Sequence, residues 1–247
     1  MMKLFYNLQR GVGLLVFCTI LLSACVNHIL EEEEDSVNNG DIPLKFTADI
    51  HEVTYTRVAG NGFEENDEVG VFALVGSSTM KEERYADNLR FFRTSEKVFE
   101  SSEPIYYPDD EVTLRLISYY PYQEEGVNMG ESTMSVAVET DQNLSAGYFC
   151  SDFLVASQNL QSAPKGAIAL HYDHKFFKLK IALVGKEGEE LQGILDADPK
   201  LSVCGFYTKA IYDFQKETYS AFSNEKSITP AGKWEIQGDR LSGKEVI

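Results

Sequence analysis

The sequence predicts an all-β sandwich, and three observations support that fold class. The chain is rich in aromatic residues, with 13 Tyr and 15 Phe, and aromatic residues favour strands. In several short segments, apolar and polar residues alternate, as they do on a strand with one buried face. Turn-forming residues separate these segments at roughly ten-residue spacing, and no long amphipathic helical pattern intervenes.

The first 24 residues are predicted to be a signal peptide and not part of the fold. Lys3 and Arg10 precede a short apolar run that is too short to span a bilayer comfortably. The run ends in Leu22–Cys25, which resembles a bacterial lipobox and implies cleavage between Ala24 and Cys25. Acylation of Cys25 would then anchor the chain stably in outer-membrane lipid. Ordinary signal cleavage near Ala24, leaving a free thiol, is the alternative.

Residues 25–43 are predicted to be a disordered tether. The run Glu31–Asp35 consists of acidic residues that repel one another and have nothing apolar to bury. The run is either a solvated spacer or, by resemblance, a surface-export signal of Gram-negative lipoproteins. The whole chain carries a net charge of −17, which argues against binding nucleic acid through a basic face.

The first predicted strand begins at Leu44 and ends at Arg57. Its apolar residues occupy every second position as far as Ile50, so a strand would turn all of them to one face. The phase then slips by one residue, which indicates a β-bulge or a strand end. The polar turn Ala59–Gly62 follows Arg57.

Later segments repeat the pattern. Val69–Val75 is almost wholly apolar, as in a strand buried on both faces. An alternating strand runs from Val112 to Tyr120, where Pro121 stops ladder pairing. The strongest alternation spans residues 168–183, with a turn or bulge at Asp173 and His174. Residues 44–185 are therefore predicted to form an N-terminal β-sandwich.

After Gly185 the pattern weakens, and residues 186–247 are predicted to form a partial second β domain. Residues 188–198 indicate a short helix or loop, and residues 201–214 indicate a hairpin or two more strands. Residues 239–247 show no completed strand pair.

No residue constellation typical of an enzyme is present in the sequence, and the residues indicate no metal or cofactor site. His171 and His174 are three residues apart, so a continuous strand would put them on opposite faces. They would share a metal only if a kink at Asp173 rotated one of them. Phosphate-binding loops, nucleophile elbows and zinc-type Cys spacings are missing from the sequence.

Three smaller features leave alternatives open. Cys150 and Cys204 either pair in a disulfide, as exported proteins allow, or remain buried thiols. The acidic turn Asp109–Glu111 is explained by solvation, with a weak Ca²⁺ site as the alternative. The clusters Tyr106–Pro108 and Tyr119–Tyr122 either stack on sugars or cover the core from strand ends.

A series of motifs, taken in order, resembles the fimbrillin family, the lipoprotein pilins and pilus-associated proteins of gut and oral anaerobes. After the lipobox and Thr56-Arg57, the motifs are Phe63-x-x-x-Asp67-x-Val69-Gly70-Val71-Phe72, Tyr106-Tyr107-Pro108, Tyr119-Tyr120-Pro121-Tyr122, Ser151-Asp152-x-Leu154-x-Ala156 and Leu170-His171-x-x-x-Lys175-x-x-Lys178-Leu179. The resemblance implies two transthyretin-like, Greek-key β-sandwich domains in tandem.

The resemblance also implies a mechanism of assembly. A trypsin-like processing protease would cut between Arg57 and Val58, and the first strand would leave. A strand of another fimbrillin subunit would then fill the vacated groove by β-strand addition. The protein would be a surface-exposed outer-membrane lipoprotein that enters a fimbrium once processed and supports adhesion to a host or bacterial surface ligand. The other interpretation of Arg57 is an exposed strand-end charge.

Family members usually continue past the position that matches Ile247. We therefore expect either a truncated chain or a short member that caps or anchors a pilus. The alternative function is a lipid-anchored surface module that binds glycan or protein through the tyrosine clusters and does not polymerise. An enzyme is not expected.

Overall fold

Strands are the main regular element of the structure, a computed structural model that describes residues 43–51, 62–108 and 112–247. The earlier strands are β1 (Phe46–Ile50), β2 (Glu68–Val75), β3 (Ala86–Arg93), β4 (Val98–Glu100), β5 (Leu114–Tyr120) and β6 (Thr133–Ala137). The later elements are α1 (Ser145–Cys150), β7 (Leu154–Leu160), β8 (Ile168–His174), β9 (Leu179–Val184), α2 (Leu191–Asp196), β10 (Tyr207–Asp213), β11 (Thr218–Glu225), β12 (Ala231–Gln237) and β13 (Arg240–Val246). The all-β prediction is confirmed.

Seven strands close into a barrel in the order β1-β4-β3-β2-β5-β7-β8. The sequence predicts two packed layers for these strands, whereas the structure joins β1 to both β4 and β8 and leaves the ring without an edge. Period-two alternation is common to sandwiches and barrels, because both bury one face of each strand. Pairing partners decide between them, and these are not encoded in the alternation.

Strand β2 is buried on both faces, which explains its almost wholly apolar sequence. Val69, Val71 and Ala73 point into the barrel core. Phe72 and Leu74, on the opposite face, belong to a second core outside the barrel. The prediction of a fully buried strand is therefore confirmed, and β2 is a wall shared by two cores.

The second core is closed by a three-stranded sheet in the order β11-β10-β6. Met134 and Val136 of β6 and Tyr212 of β10 pack with Ile117 of β5 and Phe153, which precedes β7. Of the hairpin or two strands predicted over residues 201–214, the structure forms one strand, β10, which pairs with β11 and β6. Before it, Val203 forms an isolated bridge with Ile228.

A third sheet has the order β12-β13-β9. Strand β13 pairs with β12 on one side and with β9 on the other. The expectation that residues 239–247 lack a completed strand pair is therefore wrong. Strands from both sides of residue 185 share two of the sheets, and the division into 44–185 and 186–247 stays a prediction.

The two helices among the described residues are short, and α2 confirms the helical alternative for residues 188–198, where the sequence predicts a short helix or loop. Among the residues that the structure describes, no helix combines the length and the apolar character needed to cross a bilayer. The predicted signal peptide at 1–24 and all but the last residue of the predicted tether at 25–43 lie outside the described residues.

Gln142 joins the loop before α1 to the end of β13. Its fully buried side chain donates from Nε2 to the Ile247 carbonyl oxygen at 2.9 Å and accepts the Ile247 N–H at 2.9 Å. Both backbone groups of Ile247 are thus satisfied by one amide, as buried polar groups require.

Replacing Gln142 by alanine is expected to lower the free energy of unfolding by about 2–3 kcal/mol, because two buried backbone groups lose their partner. Urea denaturation followed by circular dichroism measures the change. The matched control is Gln192→Ala, since Gln192 is exposed and bonds only Asp196 in its own helix among the described contacts; its cost should stay within about 0.5 kcal/mol. Equal costs would contradict the bridging role.

Candidate functional site

Strand β1 closes the barrel between β8 and β4. Its parallel ladder with β8 extends from the Phe46–Ile168 pair to the Ile50–Tyr172 pair. Its antiparallel ladder with β4 includes the pair of Phe46 and Phe99. Because β1 is the strand that joins β8 to β4 in the described barrel, its removal would leave a groove with an unpaired strand edge on each side.

The inner face of β1 fills this groove with apolar side chains. Leu44 and Phe46 are 2% and 1% exposed, and Ala48 and Ile50 pack half-buried against the same core. The Phe46 ring lies with its centroid 4.7 Å from that of Phe91. The alternation predicted from the sequence is confirmed for the described part of the strand, and hydrophobic burial is its main attachment.

Phe63 anchors the chain just after the segment that follows β1. Its ring centroid lies 5.2 Å from that of Phe99, 5.0 Å from that of Tyr172 and 5.4 Å from that of Tyr120, all in edge-on arrangements. These partners lie on β4, β8 and β5. Phe63 therefore ties the downstream chain to the barrel through contacts that do not involve β1.

The outer face of β1 is polar and exposed. Lys45 Nζ donates to Glu100 Oε1 at 2.6 Å, and Asp49 and His51 form pairs with side chains of β8. Exposed ion pairs contribute at most about 1 kcal/mol each. The inner face of β1 therefore contributes most of the stabilising free energy of its side chains.

One end of the groove contains a partly buried acid. Burial raises the pKa of Asp67 above its usual value, although its carboxylate accepts the Glu64 N–H at 2.6 Å. Burial also raises the pKa of the nearby Tyr120 hydroxyl, and the Asp67 charge adds to that shift. Tyr120 therefore stays neutral and serves as a packing residue against Phe63.

The tyrosine clusters contribute mainly to the core. Tyr107 and Tyr119 are almost fully buried, with hydroxyls donating to the Val112 carbonyl at 2.8 Å and to Asn88 Oδ1 at 2.7 Å. Tyr106 is 40% exposed. The interpretation that these aromatic residues cover the core is confirmed for Tyr107 and Tyr119, so neither is available to stack on a sugar.

An exposed aromatic cleft lies instead beside the C-terminal sheets. Phe177 and Phe222 are 63% and 58% exposed, and together with Phe206 and Tyr207 they line a cavity of about 210 Å³. We call these four residues the aromatic cleft. Its floor is apolar and includes Ile228. This surface could not be found from the sequence, because the alternation through residues 177–183 predicted that Phe177 would be buried.

The other predicted site residues are not brought together. Cys150 and Cys204 are both free and exposed, so the structure gives no support to a disulfide between them or to buried thiols. His174 pairs with Asp152 at 2.7 Å, whereas His171 pairs with Asp49. Ala24, Cys25, Arg57, Val58 and the acidic turn Asp109–Glu111 lie outside the described residues.

The chain matches the sequence profile of the family described as fimbrillin-like over residues 56–246. A curated relative from Bacteroides uniformis, provisionally described as fimbrium subunit Fim1C, is 24% identical over 207 residues. The match covers 80% of this chain and 62% of that relative. The chain thus spans less than two thirds of the relative's length.

Two solved structures share the fold. A protein of Bacteroides ovatus, provisionally described as a cell adhesion protein, superposes with a TM-score of 0.57 at 14% identity, covering 83% of this chain and 77% of that one. A cell adhesion protein of Bacteroides uniformis, described with the same reservation, gives a TM-score of 0.54 at 19% identity and covers 83% and 74%. At these identities the likeness concerns the fold alone.

Replacing Phe46 by alanine is expected to reduce the free energy of unfolding by about 3–5 kcal/mol, because the barrel core would lose an aromatic ring beside Phe91. Thr47→Ala is the matched control on the same strand, since Thr47 is exposed and should cost no more than about 0.5 kcal/mol. Urea unfolding of both variants measures the difference. Similar values for the two would show that β1 is not held by its inner face.

Proposed function

Because this chain belongs to the fimbrillin-like family, we propose that it is a structural or accessory subunit of a fimbrium that accepts a strand from another subunit in the groove filled by β1. One observation carries the proposal. The barrel is closed by a short strand with an apolar inner face, and this strand is joined to the remaining fold through residues 52–61. That segment contains Arg57, the basic residue that matches the family's processing position.

Loss of β1 would create a strong acceptor for a strand. The edges of β4 and β8 would offer unpaired backbone groups, and the core under Phe46 would be open to water. An incoming strand would pair with both edges and fill the side-chain positions of β1, which is β-strand addition. A chain cut after Arg57 would keep its downstream anchor, since Phe63 contacts the barrel independently of β1.

The C-terminal strand is less suited to donation as it is folded here. Strand β13 is paired on both sides, and Gln142 holds both backbone groups of Ile247. Donation of β13 would require breaking both ladders. The arrangement therefore favours an accepting role for this chain.

The upstream segments fit the same scheme. We propose that Cys25 is acylated after cleavage at Ala24 and that the protein is exposed at the outer membrane through the acidic tether. A cut between Arg57 and Val58 would separate the lipid-bearing segment from residues 58–247. Adhesion would follow from the assembled fimbrium, through a structural and not an enzymatic role. We also propose that the strands are connected in a transthyretin-like, Greek-key order.

The proposed processing predicts a defined cleavage product. The full chain, purified in detergent and treated with a trypsin-like protease, is expected to yield a folded fragment whose N-terminal residue is Val58, as read by mass spectrometry. Arg57→Ala should abolish this product. Arg240→Ala is the matched control, because Arg240 is an exposed arginine on β13 and its loss should leave the cut at Arg57 unchanged.

Strand replacement itself is tested with a labelled peptide of residues 43–51. The cut chain is expected to incorporate the peptide, and a Phe46→Ala version of the peptide should bind at least about tenfold more weakly because it leaves the core unfilled. Fluorescence anisotropy measures both. If an Arg57→Ala chain assembles and remains anchored in the same way as the unmodified chain, strand replacement is not how this protein works.

The second candidate function is a lipid-anchored module that binds a glycan or protein without polymerising. The aromatic cleft favours it, since exposed aromatic faces suit stacking on sugars and apolar side chains. A glycan array tests this function with the full chain and a Phe206→Ala, Phe222→Ala variant. Hits that persist in the variant would exclude the aromatic cleft as the glycan-binding site. An absence of hits with the full chain would exclude a glycan as the ligand of the cleft.

A further inference from the structure

Four side chains form a compact group across the parallel ladder between β1 and β8. Asp49 lies on β1 and His51 follows the strand, two residues later; His171 and Asp173 lie two residues apart on β8. The parallel register puts Asp49 opposite His171, and His51 continues the ladder by donating its N–H to the Tyr172 carbonyl at 2.8 Å. All four side chains therefore project from the outer face of the barrel.

The group is arranged so that each imidazole faces a carboxylate. His171 Nδ1 lies 2.5 Å from Asp49 Oδ1, and His51 Nδ1 lies 2.8 Å from Asp173 Oδ1. The two rings stack with centroids 5.5 Å apart and an interplanar angle of 6°. One ligand atom from each of Asp49, His51 and His171 lies within 4.8 Å of the other two.

These ligands suit a borderline-soft divalent ion. Two imidazoles and a carboxylate are a donor set that Zn²⁺ accepts with a fourth position left for water. Tetrahedral ligands at about 2.1 Å from an ion are about 3.4 Å apart. No pair of donors therefore has to close by more than about 1.4 Å (4.8 Å less 3.4 Å), and the Asp49–His171 pair, now 2.5 Å apart, has to open by about 1 Å. The exposed side chains can rotate that far. Asp173 would then orient His51 through its other ring nitrogen, an arrangement common around metal ligands.

Two ordinary surface ion pairs are the simpler explanation of the same contacts. They explain each pair separately, and the spacing of about 4.8 Å between neighbouring strands brings the two imidazoles together. Two protonated rings in this position would repel each other, whereas metal ligation uses the neutral rings. The chain's net charge of −17 also raises the local concentration of cations. The combination points to a shared cation and not to independent pairs.

We propose that Asp49, His51 and His171 bind a divalent transition-metal ion of the zinc class, which fastens β1 to β8. The ligands come from both strands, so the site exists only while β1 is in place. A bound ion therefore opposes the departure of β1. The metal site stands independently of the proposed function, whereas its effect on strand replacement rests on that function.

Zinc binding is tested on the full chain in detergent after chelation and removal of metal. Calorimetric titration with ZnCl₂ is expected to show one site of about one-to-one stoichiometry, and Co²⁺ substitution should give the absorption bands of tetrahedral coordination. The double variant His51→Gln, His171→Gln should lose the site, with affinity at least about tenfold weaker. His174→Gln is the matched control, because His174 pairs with Asp152 away from the group.

Two outcomes would overturn the site. Equal zinc affinity in the double variant and the unmodified chain would place the bound ion elsewhere, for instance on the acidic run Glu31–Asp35. Loss of affinity in His174→Gln would show that the ligand set is wrong. Thermal unfolding without metal confirms that each variant is folded, which is expected of the double variant because His51 and His171 are exposed.

The effect on β1 is measured separately. In the chain cut after Arg57, zinc is expected to slow the exchange of β1 for the labelled peptide at least about tenfold, and to have no such effect in the double variant. Zinc binding without slower exchange would refute the fastening role and leave the site intact. A failure of the protease to cut at Arg57 would refute the proposed function while the titration still decides the metal site.

Discussion

The burial of one face of β1 is the interaction on which the barrel depends. A barrel avoids unpaired edges only if every strand is present, and β1 supplies the link between β4 and β8. That link spans a strand of only five residues, so few ladder hydrogen bonds contribute to it. Phe46, packed against Phe91, makes this short strand a stable closure.

Within the described residues, the second core lies away from β1. In the strand order of the barrel, β2 and β5 lie furthest from β1, and these two strands carry the second core on their outer faces. The sheet that contains β6 and β10 is therefore supported by a part of the wall that β1 does not contact. Opening the barrel at β1 would leave the second core in place, which is a requirement for any subunit that exchanges its first strand.

The sequence predicts which face of a strand is buried, but it does not predict which strands pair with one another. Alternation correctly assigned the inner residues of β1 and β8, and the continuous apolar run correctly assigned β2, because side-chain periodicity is local. Closure of the barrel and the pairing of β13 depend on contacts between distant segments. The same limit hid the group around His51 and His171: the Asp-x-His and His-x-Asp spacings were visible, but 122 residues separate each of its ion-paired partners. Only the parallel register brings them together.

The two faces of β1 place different demands on a strand that replaces it. On the inner face, an incoming strand must supply an aromatic or large aliphatic side chain opposite Phe91, and a shift of one residue would turn its apolar side chains to solvent. Burial of the inner face therefore fixes the register of the incoming strand. On the outer face, a replacement lacking the Asp-x-His spacing leaves His171 and Asp173 without partners from the strand, at little cost because both are exposed. In the proposed exchange, the inner face would select the strand that can bind, and the outer face would distinguish the original strand from its replacement.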